Sequence, residues 1–202
     1  MLQIFMWCSY ISQYTPAFKQ PEHHIYFVGR ASLQKSALIA KEFNLADTLI
    51  SHVGIGIQER EGLVIFHVED KPNNALVKST LPEFVRNQEF YYCVYALPVS
   101  KEEIGKLKNI LANHKPVEFD NQLMLGNQAL YCSEFCFNVL ISLDPQKFRF
   151  IPVTKLIENP FIASYLGRKS ITYVPVDFFI GYPGLKKVSE EFLPASLPSL
   201  RH

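Results

Sequence analysis

The chain carries no excess of either charge. Its 20 Lys and Arg residues meet 19 Asp and Glu residues, leaving a formal charge of +1. A nucleic-acid or other polyanion partner needs a basic surface, and this balance gives no support for one. No Arg/Lys cluster stands out either, and the segment Gly105-Lys-Leu-Lys108 reads as the solvent face of a helix. No apolar run approaches the ~20 residues of a membrane span, so no transmembrane segment is expected. Cys-x-x-Cys and His-Glu-x-x-His are both missing, which removes the commonest zinc and dithiol signatures. The apolar start, Met1-Leu-Gln-Ile-Phe-Met-Trp-Cys8, lacks a basic region and a small-x-small cleavage site and is a poor secretory signal as written. Cytoplasm and bacterial periplasm or cell envelope both stay open. There is no internal repeat.

What is present is a globular composition. Hydrophobic residues make up 48% and charged residues 19% of 202 positions, enough for one domain with a sizeable core. A chain with this much apolar material does not need disulfides, so Cys8, Cys93, Cys132 and Cys136 are expected as free thiols. Strands are expected over 25–28, 51–57, 63–68 and 90–97, from β-branched and aromatic content bounded by turn residues. Ser32, Thr80 with Glu83, and Ser100 with Glu103 mark helix starts. A further helix runs from Cys132 to about residue 141 and stops at Asp144-Pro145, and a short one is expected within 152–158. The order predicts an α+β fold, a small antiparallel sheet packed against the cysteine-bearing helix.

One stretch concentrates the chemistry: Tyr131-Cys132-Ser133-Glu134 at the head of an otherwise apolar helix. A cysteine in a first helical turn meets free N–H groups and the positive end of the helix dipole, which favour thiolate. Such a nucleophile needs a base held at ~3 Å and a third polar group to fix the base's tautomer. His52, in Ser51-His-Val-Gly-Ile55, supplies the base, and His67, across the hairpin turn, the third group. Glu69 and Asp70 at the strand end are alternatives. Each residue also has a bland reading: a cysteine in a buried helix is most often a small hydrophobe, and either histidine could be a hydrogen-bonded core residue. Cys93 and Cys136 read as core.

Ser51-His52-Val53-Gly54-Ile55, followed by Tyr131-Cys132-Ser133-Glu134, resembles the circularly permuted branch of the NlpC-like papain-fold cysteine hydrolases. This is the YiiX/YebB-like bacterial group, related to the lecithin:retinol acyltransferase-like proteins. The likeness takes in roughly residues 25–145. It implies a circularly permuted papain-like (NlpC-like) fold, with 1–24 as an N-terminal extension, 25–145 as the catalytic domain and 146–202 as a C-terminal extension docked on it. It further implies Cys132 as nucleophile, His52 as general base and His67 where the branch commonly has glutamate. Tyr131 is an oxyanion candidate, and Glu134 and Glu69 are supporting residues.

The function expected from that resemblance is a thiol hydrolase, a cysteine peptidase or amidase. It would cleave an amide of a peptide or cell-wall-derived peptide through a thioester. A lipid-type acyltransferase or thioesterase using the same pair is the alternative, and a non-catalytic binding module that keeps the fold is the third reading. None requires a cofactor or a metal. The partner expected is a small peptide or acyl-amide substrate.

Overall fold

The computed structural model describes residues 23–46, 48–85 and 89–193. The apolar N-terminal stretch with Cys8, and the proline-bearing tail from 194 onward, lie outside the described residues. A six-stranded sheet forms the body. Its strands are β1 (His23–Ser32), β2 (His52–Glu59), β3 (Gly62–Val68), β4 (Leu76–Thr80), β5 (Glu89–Val99) and β8 (Lys186–Phe192). They run in the order β4-β3-β2-β1-β5-β8, and every neighbouring pair is antiparallel. Four of these strands, β1, β2, β3 and β5, match the stretches expected from the sequence, and β4 and β8 widen the sheet to six. β1 is paired along both edges, by β2 and β5, and buried on both faces, by the main core on one side and the Phe84 cluster on the other. Ile25 and Phe27 enter one core and Val28 the other, as the two-residue alternation of a strand requires.

Two helices cover one face: α3 (Lys101–Ala112) and α4 (Cys132–Leu143). α4 packs on β2 and β3, with Phe135, Cys136, Val139 and Leu140 against Val53 and Ile55. Each fully buried side chain of this size stabilises by roughly 1.5–3 kcal/mol. The Glu103 carboxylate accepts from the Ser100 backbone N–H at 2.7 Å and the Ser100 hydroxyl accepts from Glu103 at 3.1 Å, so the expected capping box starts α3. On the opposite face lies a single helical turn, α2 (Leu81–Phe84), whose Phe84 is wholly buried among Val28, Ile65 and Val94.

A smaller layer sits beside this body. Strands β6 (Val153–Leu156) and β7 (Ser170–Tyr173) form a two-stranded sheet, with α5 (Pro160–Leu166) between them in sequence. Asn159 caps α5 by accepting from Phe161 and Ile162, and Gly167 closes it at φ +65°. Ile157, Ile162, Leu166, Ile171 and Tyr173 bury against Phe43, which follows α1 (Lys35–Glu42). Two expectations are corrected here. Residues 152–158 hold β6 rather than a helix, because pairing with β7 decides a stretch of ambiguous propensity. Ser32 does not cap α1; it ends β1, its hydroxyl accepts from the Gln34 backbone N–H, and Gln34 occupies the cap position without a side-chain capping bond.

Candidate metal centre

His52 opens β2 directly across from Arg30 of β1, and His67 lies near the end of β3 with Glu69 just beyond it. Alternation puts these groups on the face of the sheet covered by α2. Gly54 makes the arrangement possible. A Cβ there would sit 2.7 Å from Ile65 Cγ2, 3.0 Å from the Phe66 carbonyl and 3.1 Å from His67 Cβ, so only glycine allows β3 to approach this closely. His52 Nε2 lies 3.0 Å from His67 Nδ1, and His67 Nδ1 lies 3.7 Å from Glu69 Oε1. All three donor atoms fall within 4.8 Å of one another. The far nitrogen of His67 is 3.0 Å from the Ser79 hydroxyl on β4. Phe84 walls the site, its ring centre 5.6 Å from that of His52 and 4.8 Å from that of His67.

The charges around the pair are fixed by Arg30. Its Nη2 donates to Glu69 at 2.8 Å, its Nη1 donates to the Phe84 carbonyl, and its Nε lies 3.5 Å from Glu89. The guanidinium also stacks over the Phe84 ring at 4.7 Å. Lys71 pairs with the other oxygen of Glu69 at 3.2 Å. Burial holds the His52 pKa well below 6.5, and the charges of Arg30 and His67 push the same way, so its ring is neutral at pH 7. Burial works to raise the Glu69 carboxyl, but His67 and Arg30 outweigh it and the group stays ionised. A neutral imidazole at His52 and an ionised carboxylate at Glu69 are forms that bind a cation.

Cys132 heads α4 as expected, yet it does not form the activated pair. Burial pushes its thiol up, while backbone hydrogen bonds from Val53 and Ser133 act only in part against that. Among the described residues no hydrogen bond joins Cys132 to His52, whose Nε2 is directed at His67 instead. The reason lies in the strand. Val53 faces α4 with Cys132 and Cys136, so its neighbour His52 turns to the α2 side. A neutral thiol beside a neutral imidazole is not a thiolate–imidazolium pair. The expected thioester mechanism, and with it the assignment as cysteine peptidase, thiol protease or amidase, is therefore corrected.

The remaining expected residues are placed as follows. The Tyr131 hydroxyl accepts from the Val174 backbone N–H at 3.0 Å, and Ser133 donates to the Val174 carbonyl at 2.7 Å. Glu134 is buried, and one of its oxygens accepts from Gly126 at 2.8 Å while the other has no partner. Burial raises its pKa to about 7. Asp70 is exposed at the rim. Cys93 and Cys136 are fully buried.

A cavity of about 690 Å³ opens beside the cluster. His52, Arg30, Glu69, Cys132, Phe43 and Leu123 are among the residues that line it. Sequence reading missed Arg30, Ser79, Phe84 and Glu89. Gly54 inside a strand was the one visible signal of close approach at this spot. Ser79 is brought in by the β3–β4 register alone.

No family model matches the chain, and no curated protein sequence matches it. Among solved structures it is similar to the crystal structure of the metalloprotein YiiX, DUF1105, from Escherichia coli O157:H7. The TM-score is 0.66 and the identity 16%, over 86% of this chain and 99% of that one. No helix among the described residues is long and apolar enough to cross a membrane. The circularly permuted papain-like (NlpC-like) hydrolase assignment is corrected accordingly: the fold is similar to that of the YiiX/DUF1105 structure, and the titratable cluster it frames is His52, His67 and Glu69.

Proposed function

We propose that the chain is a metal-binding protein, with His52, His67 and Glu69 as the ligands of a single divalent cation. The observation that carries this is the convergence of His52 Nε2, His67 Nδ1 and a Glu69 oxygen within 4.8 Å on one sheet face. Two imidazoles and a carboxylate form a donor set used for zinc and other first-row cations. Adjacent ligand atoms of such a set lie about 3.3 Å apart when each is 2.0–2.1 Å from the ion, close to the 3.0 and 3.7 Å found. The likeness to a structure titled a metalloprotein supports the same reading.

The chain's own residues prepare the site. With the His67 Nε2–H donated to Ser79, the Nδ1 lone pair faces His52 and Glu69. Arg30 holds Glu69 in place but also repels a cation, so it tempers affinity. Phe84 keeps water off the ring faces. When bound, a divalent ion there supplies Lewis acidity toward an oxygen donor or a water molecule. Isothermal titration of the metal-free protein with Zn²⁺ tests the proposal. One ion per chain is expected, with His67→Ala weakening binding at least ~100-fold and Cys132→Ser leaving it unchanged. Equal affinity of wild type and His67→Ala would sink it.

A further inference from the structure

The cavity beside the cluster contains a group that the metal reading does not use. Glu89, the first residue of β5, lines the cavity with only 9% of its surface exposed. Its Oε1 lies 3.5 Å from Arg30 Nε, whereas its Oε2 is buried with no hydrogen-bond partner. A buried carboxylate oxygen left unpaired forfeits its hydration with nothing in return, and such groups call for an explanation. We propose that this cavity binds a primary amine carried on an apolar body, with Glu89 taking the ammonium.

Three observations agree on the sign of the head group. Among the described lining residues, four carboxylates (Glu69, Asp70, Glu89 and Asp120) face one guanidinium, that of Arg30, with Glu69 and Asp120 already held by contacts of their own. Arg30 has little to offer an anion, since its three nitrogens are already directed to Glu69, Glu89 and the Phe84 carbonyl. Among the described lining residues two oxygens are buried without a hydrogen-bond partner, Glu89 Oε2 and the Tyr173 hydroxyl; only the first belongs to an acid, and a charge-assisted N–H···O bond is the contact that satisfies it best.

The body of the ligand follows from the rest of the lining. Ile39, Phe43, Leu123, Val174 and Tyr165 supply apolar surface between the main sheet and the smaller layer. A volume of about 690 Å³ suits a small organic molecule rather than a bare ion. An alkyl or aryl amine therefore fits both ends, with the ammonium at Glu89 and the chain toward Tyr165. Glu89 is not one of the three metal donors, so the amine site stands or falls separately from the metal.

The test uses the full chain and n-octylamine, 1-octanol and octanoate as probes, each titrated calorimetrically at pH 7 with and without saturating Zn²⁺. Octylamine is expected to bind at least ~10-fold tighter than octanol, and octanoate to bind weakest. Affinity should rise roughly 3- to 4-fold per methylene from butylamine to octylamine, and Tyr165→Ala should flatten that rise. Glu89→Gln should erase the preference for octylamine over octanol while leaving octanol binding in place, which also reports that the cavity is intact. A preference for octanoate, or an amine preference that survives Glu89→Gln, overturns the proposal. Octylamine binding that persists in a protein unable to hold Zn²⁺ keeps it and removes only the metal reading.

Discussion

At the scale of single residues, the account rests on which partner each imidazole nitrogen has. His67 uses one nitrogen on Ser79 and presents the other to His52 and Glu69. Ser79→Ala removes that support without touching a ligand, and outer partners of this kind typically change metal affinity 10–100-fold. We expect Zn²⁺ affinity to fall by that factor and the urea midpoint to fall with the lost buried hydrogen bond; an unchanged dissociation constant would show that Ser79 serves stability alone. Cys132 gives a second residue-scale outcome. Its thiol is pushed up by burial, so it should alkylate more slowly at pH 7 than a free cysteine. Substituting His52 by Gln should leave that rate alone. Fast labelling that collapses in His52→Gln would restore the pair rejected above.

Elements position these residues, and two elements make testable demands. The β2–β3 crossing depends on Gly54, where a Cβ meets the backbone carbonyl of Phe66 as well as two side chains. Backbone cannot yield as a side-chain tip can, so Gly54→Ala should cost about 1–3 kcal/mol in denaturant unfolding. It should also weaken metal binding, since His67 would be displaced. A variant as stable as wild type would mean the crossing has slack. The head of α4 carries the other demand. The Glu134 carboxyl titrates at about 7 in the folded chain, against 4.5 ordinarily, because burial disfavours its charge. Between those two values the folded state holds the extra proton, so stability falls as pH rises from about 4.5 to about 7 and is level above that. The loss amounts to about 3 kcal/mol. Glu134→Gln should remove this slope and be the more stable protein at pH 8; parallel pH profiles for the two proteins would contradict the assignment.

The elements were unevenly legible in the sequence, for physical reasons. β2, β3 and β5 announce themselves by β-branched and aromatic runs, and the Thr80 and Ser100 starts by acids three residues on. β4 and β8, Leu-Val-Lys-Ser-Thr and Lys-Lys-Val-Ser-Glu-Glu-Phe, are edge strands exposed on one side and carry too little apolar signal to be seen. β6 is likewise decided by its partner. At the site, His52, His67 and Glu69 were each singled out, but the chemistry assigned to them was wrong. Sequence spacing suggested that a thiol at a helix start and a histidine at a strand start would meet. Strand alternation sends Val53 to α4 and His52 to the opposite face, and no linear pattern reveals which of the two takes which side.

For the molecule as a whole, one six-stranded antiparallel sheet carries helices α3 and α4 on one face and the polar cluster, under α2, on the other. The cavity lies where that body meets the small β6–α5–β7 layer. The sheet fixes His52, His67 and Arg30 on neighbouring strands, a rigid base for a ligand set. The most direct measurement of the central claim is the zinc K-edge absorption spectrum of the full-length protein loaded with one equivalent of Zn²⁺. The account predicts nitrogen and oxygen scatterers at about 2.0–2.1 Å, imidazole multiple scattering from two rings, and no sulfur. A sulfur shell at about 2.3 Å, which would bring Cys132 to the ion, or a spectrum of freely hydrated zinc, would contradict it.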